Sequence, residues 1–263
     1  MHANAFDRYH HGHSPLHLLD PRLKVVLTVA FILSNVLLPD GAWAAFGLAW
    51  MLVLAANLLS GLGMGFTLRR SFIVLPFTLA ALTVLFSVPG NVLSRLSIGT
   101  WELSITDAGL VRFLSILVRS WLSIQAAILL VGVTEFPDLI HALAHLRVPR
   151  ILTTIIAFLY RYLFVLTDEA MRLMRARQAR SAAVPGARPG RDVWWRARAA
   201  GNMTGQLFLR SYERSDRIYN AMLARGYRGQ LLTLNPHVMK AGDWTAGAAA
   251  LLGLVLVQLV GRF

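Results

Sequence analysis

The chain has 263 residues, of which 56% are apolar and only 15% are charged, whereas an ordinary soluble domain has about 25% charged residues. This composition, with a mean hydropathy of +0.55, excludes a disordered chain and argues against a soluble enzyme. The net charge is +13, and 24 of the 26 cations are arginine because Lys24 and Lys240 are the only lysines. The absence of cysteine excludes disulfides, thiolate catalysis and cysteine-ligated metals.

Long apolar runs dominate the sequence. A helix needs roughly 20 apolar residues to cross a bilayer core about 30 Å thick. The third run contains Pro76, which a membrane helix tolerates, and the fourth contains Arg112 and Arg119. We interpret Arg112 as interfacial, and expect Arg119 to face a partner subunit or to pair within the protein. The sequence predicts an all-α integral membrane protein with about five transmembrane helices, at residues 23–38, 42–62, 71–88, 108–133 and 244–260.

One further apolar run, residues 151–166, is shorter than a span requires. It has only 16 residues and contains Tyr160, Arg161 and Tyr162. We predict a buried or interfacial helix here rather than another span.

The distribution of arginine predicts the topology. Residues 172–228 hold 13 of the 26 cations but only three acids, and positively charged segments next to spans favour the cytoplasm. If residues 151–166 do not cross, four spans return the chain to the cytoplasm, with the N-terminus cytoplasmic and residues 89–107 external. The predicted organisation is a tail with four spans (1–133), a cytoplasmic or interfacial helical insert (134–240) and a final span (241–263).

The insert has its own helix signals. Thr134 is a candidate N-cap for a short amphipathic helix that Pro149 ends. Thr167 either caps a second helix or lies inside one long helix that begins near residue 151. A further helix over 192–224 carries a stripe every fourth residue, Trp195, Ala199, Met203 and Leu207, and Gly226 is placed to end it in the left-handed conformation.

The arginine-rich insert has three interpretations from composition alone. It is a solvated or lipid-headgroup-binding face, a nucleic-acid surface, or a set of guanidinium groups that dock in an acidic groove of a partner. No nucleic-acid-binding motif accompanies the charge, so that interpretation is weak.

Short motifs in a fixed order make the chain recognisable. DRYHHGHSPLHLLDPRLK (7–24) precedes the first run, TEFPDLIHAL (134–143) follows the fourth, and YRYLFVLTDEA spans 160–170. Ala179-Arg180-Ser181 and Ala224-Arg225-Gly226 then place two arginines 45 positions apart. In this order the chain resembles, over essentially its whole length, the transmembrane T component of energy-coupling factor (ECF) transporters, of the CbiQ type in the cobalt/nickel branch.

The resemblance implies six coupling residues. Family members pair one Ala-Arg-Gly-bearing coupling helix with each of two ATP-binding-cassette subunits. Carried over, Arg180 and Arg225 are the contact arginines, Ala179 and Ala224 allow close approach, and Ser181 and Gly226 complete the motifs. Ser181 replaces the family's glycine. We prefer this first motif over Ala176-Arg177-Gln178 because a small residue follows its arginine.

The resemblance also implies partners and a location. It implies a non-catalytic subunit in the bacterial inner (plasma) membrane that binds no cofactor or metal itself. Two CbiO-type ATPase subunits would hold ATP and Mg²⁺, and a CbiM-type membrane subunit, with or without CbiN, would bind cobalt or nickel. Membrane lipid is the remaining partner, and nucleic acid is not one. The sequence has no Walker A motif.

Clusters of histidine are alternative candidate sites. Five of the eight histidines lie in the first 17 residues, and we interpret them as a polar cytoplasmic tail, with the metal site on the substrate-binding subunit. His141 and His145, spaced i, i+4, are expected on the polar or interfacial side of the short helix.

Two other functions remain open: an anionic-lipid-binding module, and a membrane enzyme such as a lipid or prenyl transferase. Such an enzyme needs clustered aspartates for Mg²⁺ and diphosphate. Here Asp168-Glu169 is the only adjacent acidic pair.

Overall fold

The computed structural model describes residues 9–12, 14–98, 101–180, 193–229 and 238–263. Its described elements are almost all helical, which confirms the predicted fold class. A 3₁₀ turn, Phe72–Val74, separates α4 from α5. In chain order the elements are α1 (Pro15–Leu18), α2 (Pro21–Val36), α3 (Trp43–Ser60), α4 (Met64–Ser71), α5 (Leu75–Ser87), β1 (Val92–Ile98), β2 (Trp101–Thr106), α6 (Asp107–Val133), α7 (Phe136–His145), α8 (Arg150–Arg180), α9 (Val193–Ala224) and α10 (Ala241–Arg262).

The described elements form two compact units. Helices α8 and α9 belong to one unit, which we call the helix pair. All the other elements belong to the second unit, which we call the bundle.

Four described helices, α3, α6, α8 and α10, are long and apolar enough to cross a bilayer. Three of them match predicted spans, whereas α2 has 16 residues and α5 has 13. The run 151–166 is the first half of α8, a single helix of 31 residues. Its side chains are largely exposed within the unit, with Ile151 at 68% and Leu159 at 62%. The sequence predicts a buried or interfacial helix here rather than a span, whereas the run belongs to a helix that is long and apolar enough to cross a bilayer. Its position relative to the membrane stays a prediction.

The third predicted run is interrupted. Residues 71–88 do not form one helix, because α4 ends at Ser71 and the 3₁₀ turn follows before α5 begins. Pro76 lies in the first turn of α5, where its missing N–H would have had no helical partner. Proline therefore starts a helix at this position instead of bending one.

A β-hairpin occupies most of the segment predicted as a loop. Strands β1 and β2 pair antiparallel, with a shift in register between Val92 and Ser94. Thr106 ends the hairpin and caps α6, because its Oγ1 accepts from the Gly109 N–H at 3.1 Å. The hairpin is thus joined directly to the longest helix of the bundle.

The start of α2 is capped by a side chain, and the start of α7 corrects a predicted cap. Asp20 accepts from the Arg22 N–H at 2.8 Å, and Pro21 is the first helical residue. At α7 the N-cap is Glu135 rather than Thr134, since Thr134 is the residue that ends α6.

Close helix packing in the bundle depends on small residues of α10. A Cβ added at Gly261 would lie 2.5 Å from Leu38 Cδ2, and one at Gly253 would lie 3.0 Å from Leu52 Cδ2. Helix α10 also contributes Val257, which is 1% exposed, to a core that includes Leu122 at 0%. Glycine therefore lets α2 and α3 approach α10 closely, which is how helices gain van der Waals contact in lipid.

An ion pair holds the only two arginines of α6. Arg119 Nη2 lies 2.8 Å from Asp40 Oδ1 and also donates to the Leu38 carbonyl. Arg112 Nε lies 3.7 Å from the other Asp40 oxygen, and its side chain is 56% exposed. Arg119 thus pairs within the bundle, one of the two outcomes expected from the sequence.

We expect Asp40→Asn to destabilise the bundle by about 2 kcal/mol, because it removes the counter-ion of a guanidinium that is only 19% exposed. The melting temperature in detergent should fall by about 5 °C. Arg112→Gln is the control. The ion pair of Arg112 with Asp40 is longer and more exposed, so it contributes about 0.5 kcal/mol or less to the free energy of unfolding. Equal losses in the two variants would contradict this assignment.

Candidate functional site

Helices α8 and α9 run antiparallel, as three contacts show. Glu169 Oε1 lies 2.6 Å from Arg210 Nη1. Eight residues further along α8, Arg177 Nη1 lies 3.9 Å from Met203 Sδ, and its guanidinium carbon is 5.2 Å from the Trp195 ring centre. Moving along α8 from Glu169 to Arg177, the contact on α9 moves back from Arg210 to Met203. The two helices therefore run in opposite directions.

The predicted stripe of α9 faces α8. Trp195 and Met203 contact Arg177, while Ala199, one turn from each, is half-buried, as is Leu207. Because residues four apart share a helix face, the small side chain of Ala199 leaves room for the Arg177 guanidinium between its two neighbours. The stripe noted in the sequence therefore lies on the side of α9 where Arg177 of α8 contacts Trp195 and Met203.

Glu169 is the acid at the centre of this contact. Its side chain is buried between Arg210 of α9 and Arg172 of its own helix, whose Nη1 lies 3.9 Å away. The hydrogen bond from Arg210 holds the pKa of Glu169 below its usual value. Because the folded-state pKa is lowered, the stabilisation by this pair is present near neutral pH and is lost as the pH falls through that lowered pKa.

The first predicted motif lies at the C-terminal end of α8. Ala179 and Arg180 are the last two residues of the helix, and both are exposed. Ser181 lies outside the described residues. The negative end of the helix dipole is at this terminus, which favours a cation such as Arg180 there.

The second motif ends α9 in a left-handed turn. Gly226 has φ of +80°, its N–H donates to the Leu223 carbonyl at 2.9 Å, and the Tyr227 N–H donates to the Met222 carbonyl at 3.0 Å. These two bonds define a Schellman motif, in which the glycine occupies the position that side chains strain. The prediction for Gly226 is confirmed, and Arg225 is the residue immediately before the turn.

The two motifs lie at opposite ends of the helix pair. Arg180 is eleven residues beyond Glu169, about 17 Å along α8, and Ala224 is fourteen residues beyond Arg210, about 21 Å along α9. Because the helices are antiparallel, these distances add, and the two arginines lie on the order of 40 Å apart along the pair. Ala224, Arg225 and Gly226 are exposed, as are Ala179 and Arg180.

Sequence reasoning missed the Glu169–Arg210 pair. It left open whether a helix starts at Thr167, whereas Thr167, Asp168 and Glu169 all lie inside α8. Only Glu169 is on the face towards α9, where residues 166, 170, 173 and 177 are also half-buried. The helical spacing of these half-buried positions was the signal in the sequence that could have identified Glu169. With Glu169 bound to arginine, the adjacent acids are not arranged as a Mg²⁺ site.

No three histidines, cysteines or acids come together as metal ligands in the described part of the chain. The histidines described near the N-terminus contact the bundle: the His10 N–H donates to the Gly132 carbonyl at 3.1 Å, and His17 Nε2 lies 3.0 Å from the His10 carbonyl oxygen. His141 and His145 are neighbours on α7, with ring centres 4.5 Å apart. His2 and His13 lie outside the described residues.

We expect Gly226→Ala to loosen the end of α9, because a side chain at φ of +80° costs about 1 kcal/mol. Amide hydrogen exchange in residues 222–227 should become faster. Gly205→Ala is the matched control: it lies inside α9 with open space around it, and alanine there should strengthen the helix by about 1 kcal/mol. Unchanged exchange in the Gly226 variant would show that the turn does not depend on glycine.

Comparison with known proteins gives the family. The model of the CbiQ family, described as cobalt transport protein, matches residues 12–236. The chain is 30% identical over 264 residues to the energy-coupling factor transporter transmembrane protein EcfT of Lacticaseibacillus paracasei, covering 95% of this chain and 96% of that protein.

Two further relatives agree. EcfT of Thermosediminibacter oceani is 27% identical, covering 87% of this chain and 86% of that protein. The cobalt transport protein CbiQ of Salmonella typhimurium is 36% identical over 102 residues, or 38% of this chain and 45% of that protein. The chain therefore belongs to the CbiQ family, the multi-pass transmembrane T components of energy-coupling factor transporters.

Proposed function

We propose that this chain transmits the motion of two ATP-binding-cassette ATPase subunits to a separate substrate-binding membrane subunit, through Ala179-Arg180-Ser181 and Ala224-Arg225-Gly226. The observation that carries the proposal is the placement of an exposed Ala-Arg pair at each end of one antiparallel helix pair. Two contact points about 40 Å apart suit two ATPase subunits, one at each end.

The chemistry of each end suits such contacts. An arginine at a helix C-terminus presents five N–H donors that match the geometry of a carboxylate. The alanine before it leaves the backbone accessible, so a groove lined by acids on the partner can close around the helix end. Because a helix is stiff along its axis, displacement of one end is carried to the other parts of the pair.

The remaining parts of the proposal follow from the family. The ATPase subunits, of the CbiO type, hydrolyse ATP with Mg²⁺, and a CbiM-type subunit binds the substrate, which we propose is cobalt or nickel. This chain then contributes no catalytic group and no cofactor. We place it in the bacterial inner membrane with its N-terminus and the helix pair on the cytoplasmic side, because residues 172–228 carry 13 cations and three acids.

Arg180→Ala and Arg225→Ala should each weaken co-purification with the ATPase subunits by roughly tenfold or more, as expected when a central interface arginine is truncated. Uptake of radioactive cobalt or nickel by cells that express the whole transporter should fall in parallel. Arg175→Ala and Arg228→Ala are matched controls, since both remove an exposed arginine near the motifs. Normal assembly and uptake by the Arg180/Arg225 double variant would refute the proposal.

The orientation is tested by single cysteines, because the chain has none of its own. Ala176→Cys on α8 should react with a membrane-impermeant maleimide only when the cytoplasmic side is open to the reagent. Asn91→Cys, in the segment proposed to be external, should react in intact spheroplasts. Both positions are exposed. Reaction of the Ala176 variant in intact spheroplasts would place the helix pair outside and overturn the proposal.

A further inference from the structure

The helix pair carries far more positive than negative charge. Helices α8 and α9 together have eleven arginines and four acids. Two helices with such an excess repel each other unless the charges at their contact are neutralised. Of the four acids, Asp168, Glu213 and Asp216 are exposed, and Glu169 is buried.

Glu169 neutralises guanidinium groups from both helices. Its Oε1 lies 2.6 Å from Arg210 of α9, and its Oε2 lies 3.9 Å from Arg172 of α8. Without the carboxylate, the guanidinium groups of Arg172 and Arg210 would face each other at the point where the helices meet.

The position of this contact gives it a mechanical effect. It lies about 17 Å from the end of α8 and about 21 Å from the end of α9. A rotation of about 10° between the helices at this point would move the end of α9 by about 4 Å. A displacement of that size separates an arginine from a carboxylate partner, because hydrogen bonds extend only to about 3.2 Å.

We infer that Glu169 is a positioning residue: its ion pair with Arg210 fixes the angle between α8 and α9 and so sets the spacing of the two Ala-Arg motifs. This inference rests on the proposed function, in which that spacing must match two ATPase subunits. Glu169 itself contacts no partner in the proposal, and it acts through the arginines at the ends of the helices.

The spacing is measured directly with spin labels. Ala176→Cys and Ala221→Cys place exposed labels on α8 and α9 without altering either motif, roughly 25 Å apart along the helices. Double electron–electron resonance on the full-length chain in lipid nanodiscs gives the distance distribution between them. Uptake of radioactive cobalt or nickel by the assembled transporter is measured in cells that express the same variants without the labels.

Glu169→Gln should broaden the distribution, shift it by several ångströms, and lower uptake by about tenfold. The shift should shrink as salt is raised from about 0.01 M to 1 M, because the Debye length falls from about 30 Å to 3 Å and screens the arginines. Arg210→Lys, which keeps the charge, should retain most of the original distribution. Asp168→Asn is the matched control and should change neither measurement.

An unchanged distance distribution in Glu169→Gln would overturn the inference, as would a shifted distribution with normal uptake. Arg210→Gln supplies a second variant at the same contact, and it too should shift the distribution. Failure of the proposed function is recognised separately, by normal assembly in the Arg180/Arg225 double variant.

Discussion

The helix pair depends on one carboxylate. Glu169 is the acid that α8 buries against α9, and it lies between guanidinium groups of both helices. The rest of the contact consists of a half-buried stripe and the packing of Arg177 between Trp195 and Met203. Apolar packing tolerates many helix angles, whereas an ion pair of 2.6 Å has a narrow geometry. The antiparallel order of the two helices is seen at this ion pair and again at the contacts of Arg177.

The bundle is stabilised differently, because lipid gives no hydrophobic driving force for helices to associate. Gly253 and Gly261 bring α10 against its neighbours, and Arg119 finds its counter-ion in the turn after α2. Helix α6 connects these features, since it carries Arg119 and contributes Leu122 to the core. The bundle thus pairs the half-buried Arg119 internally, whereas the helix pair exposes most of its arginines.

Much of this architecture was predictable from the sequence because apolar runs and helix stop signals act locally. The runs that became α3, α6 and α10, the cap at Asp20 and the left-handed Gly226 depend on a few neighbouring residues. The prediction of one helix over residues 71–88 was wrong because composition does not show where a helix is interrupted. Pro76 is compatible both with one continuous membrane helix and with the start of a new helix. The order and placement of the two Ala-Arg pairs followed from the resemblance to the family.

Other features depend on contacts between distant residues. The partner of Arg119 is Asp40, 79 positions away in sequence, and that of Glu169 is 41 positions away. No local pattern distinguishes Glu169 from Asp168, except that only one of them falls on the face towards α9. The pairing of β1 with β2 depends on contacts between two separate strands. The apolar run 151–166 is too short for a span by itself. It is the first half of α8, a helix of 31 residues whose second half is basic.

The Schellman turn has a consequence for how the second motif tolerates change. The bonds that end α9 are all between main-chain atoms, from the amides of Gly226 and Tyr227 to the carbonyls of Leu223 and Met222. The location of Arg225 is therefore independent of which side chains surround it, provided that the glycine is kept. Substitution of the neighbouring side chains thus leaves the backbone that carries this guanidinium where it is.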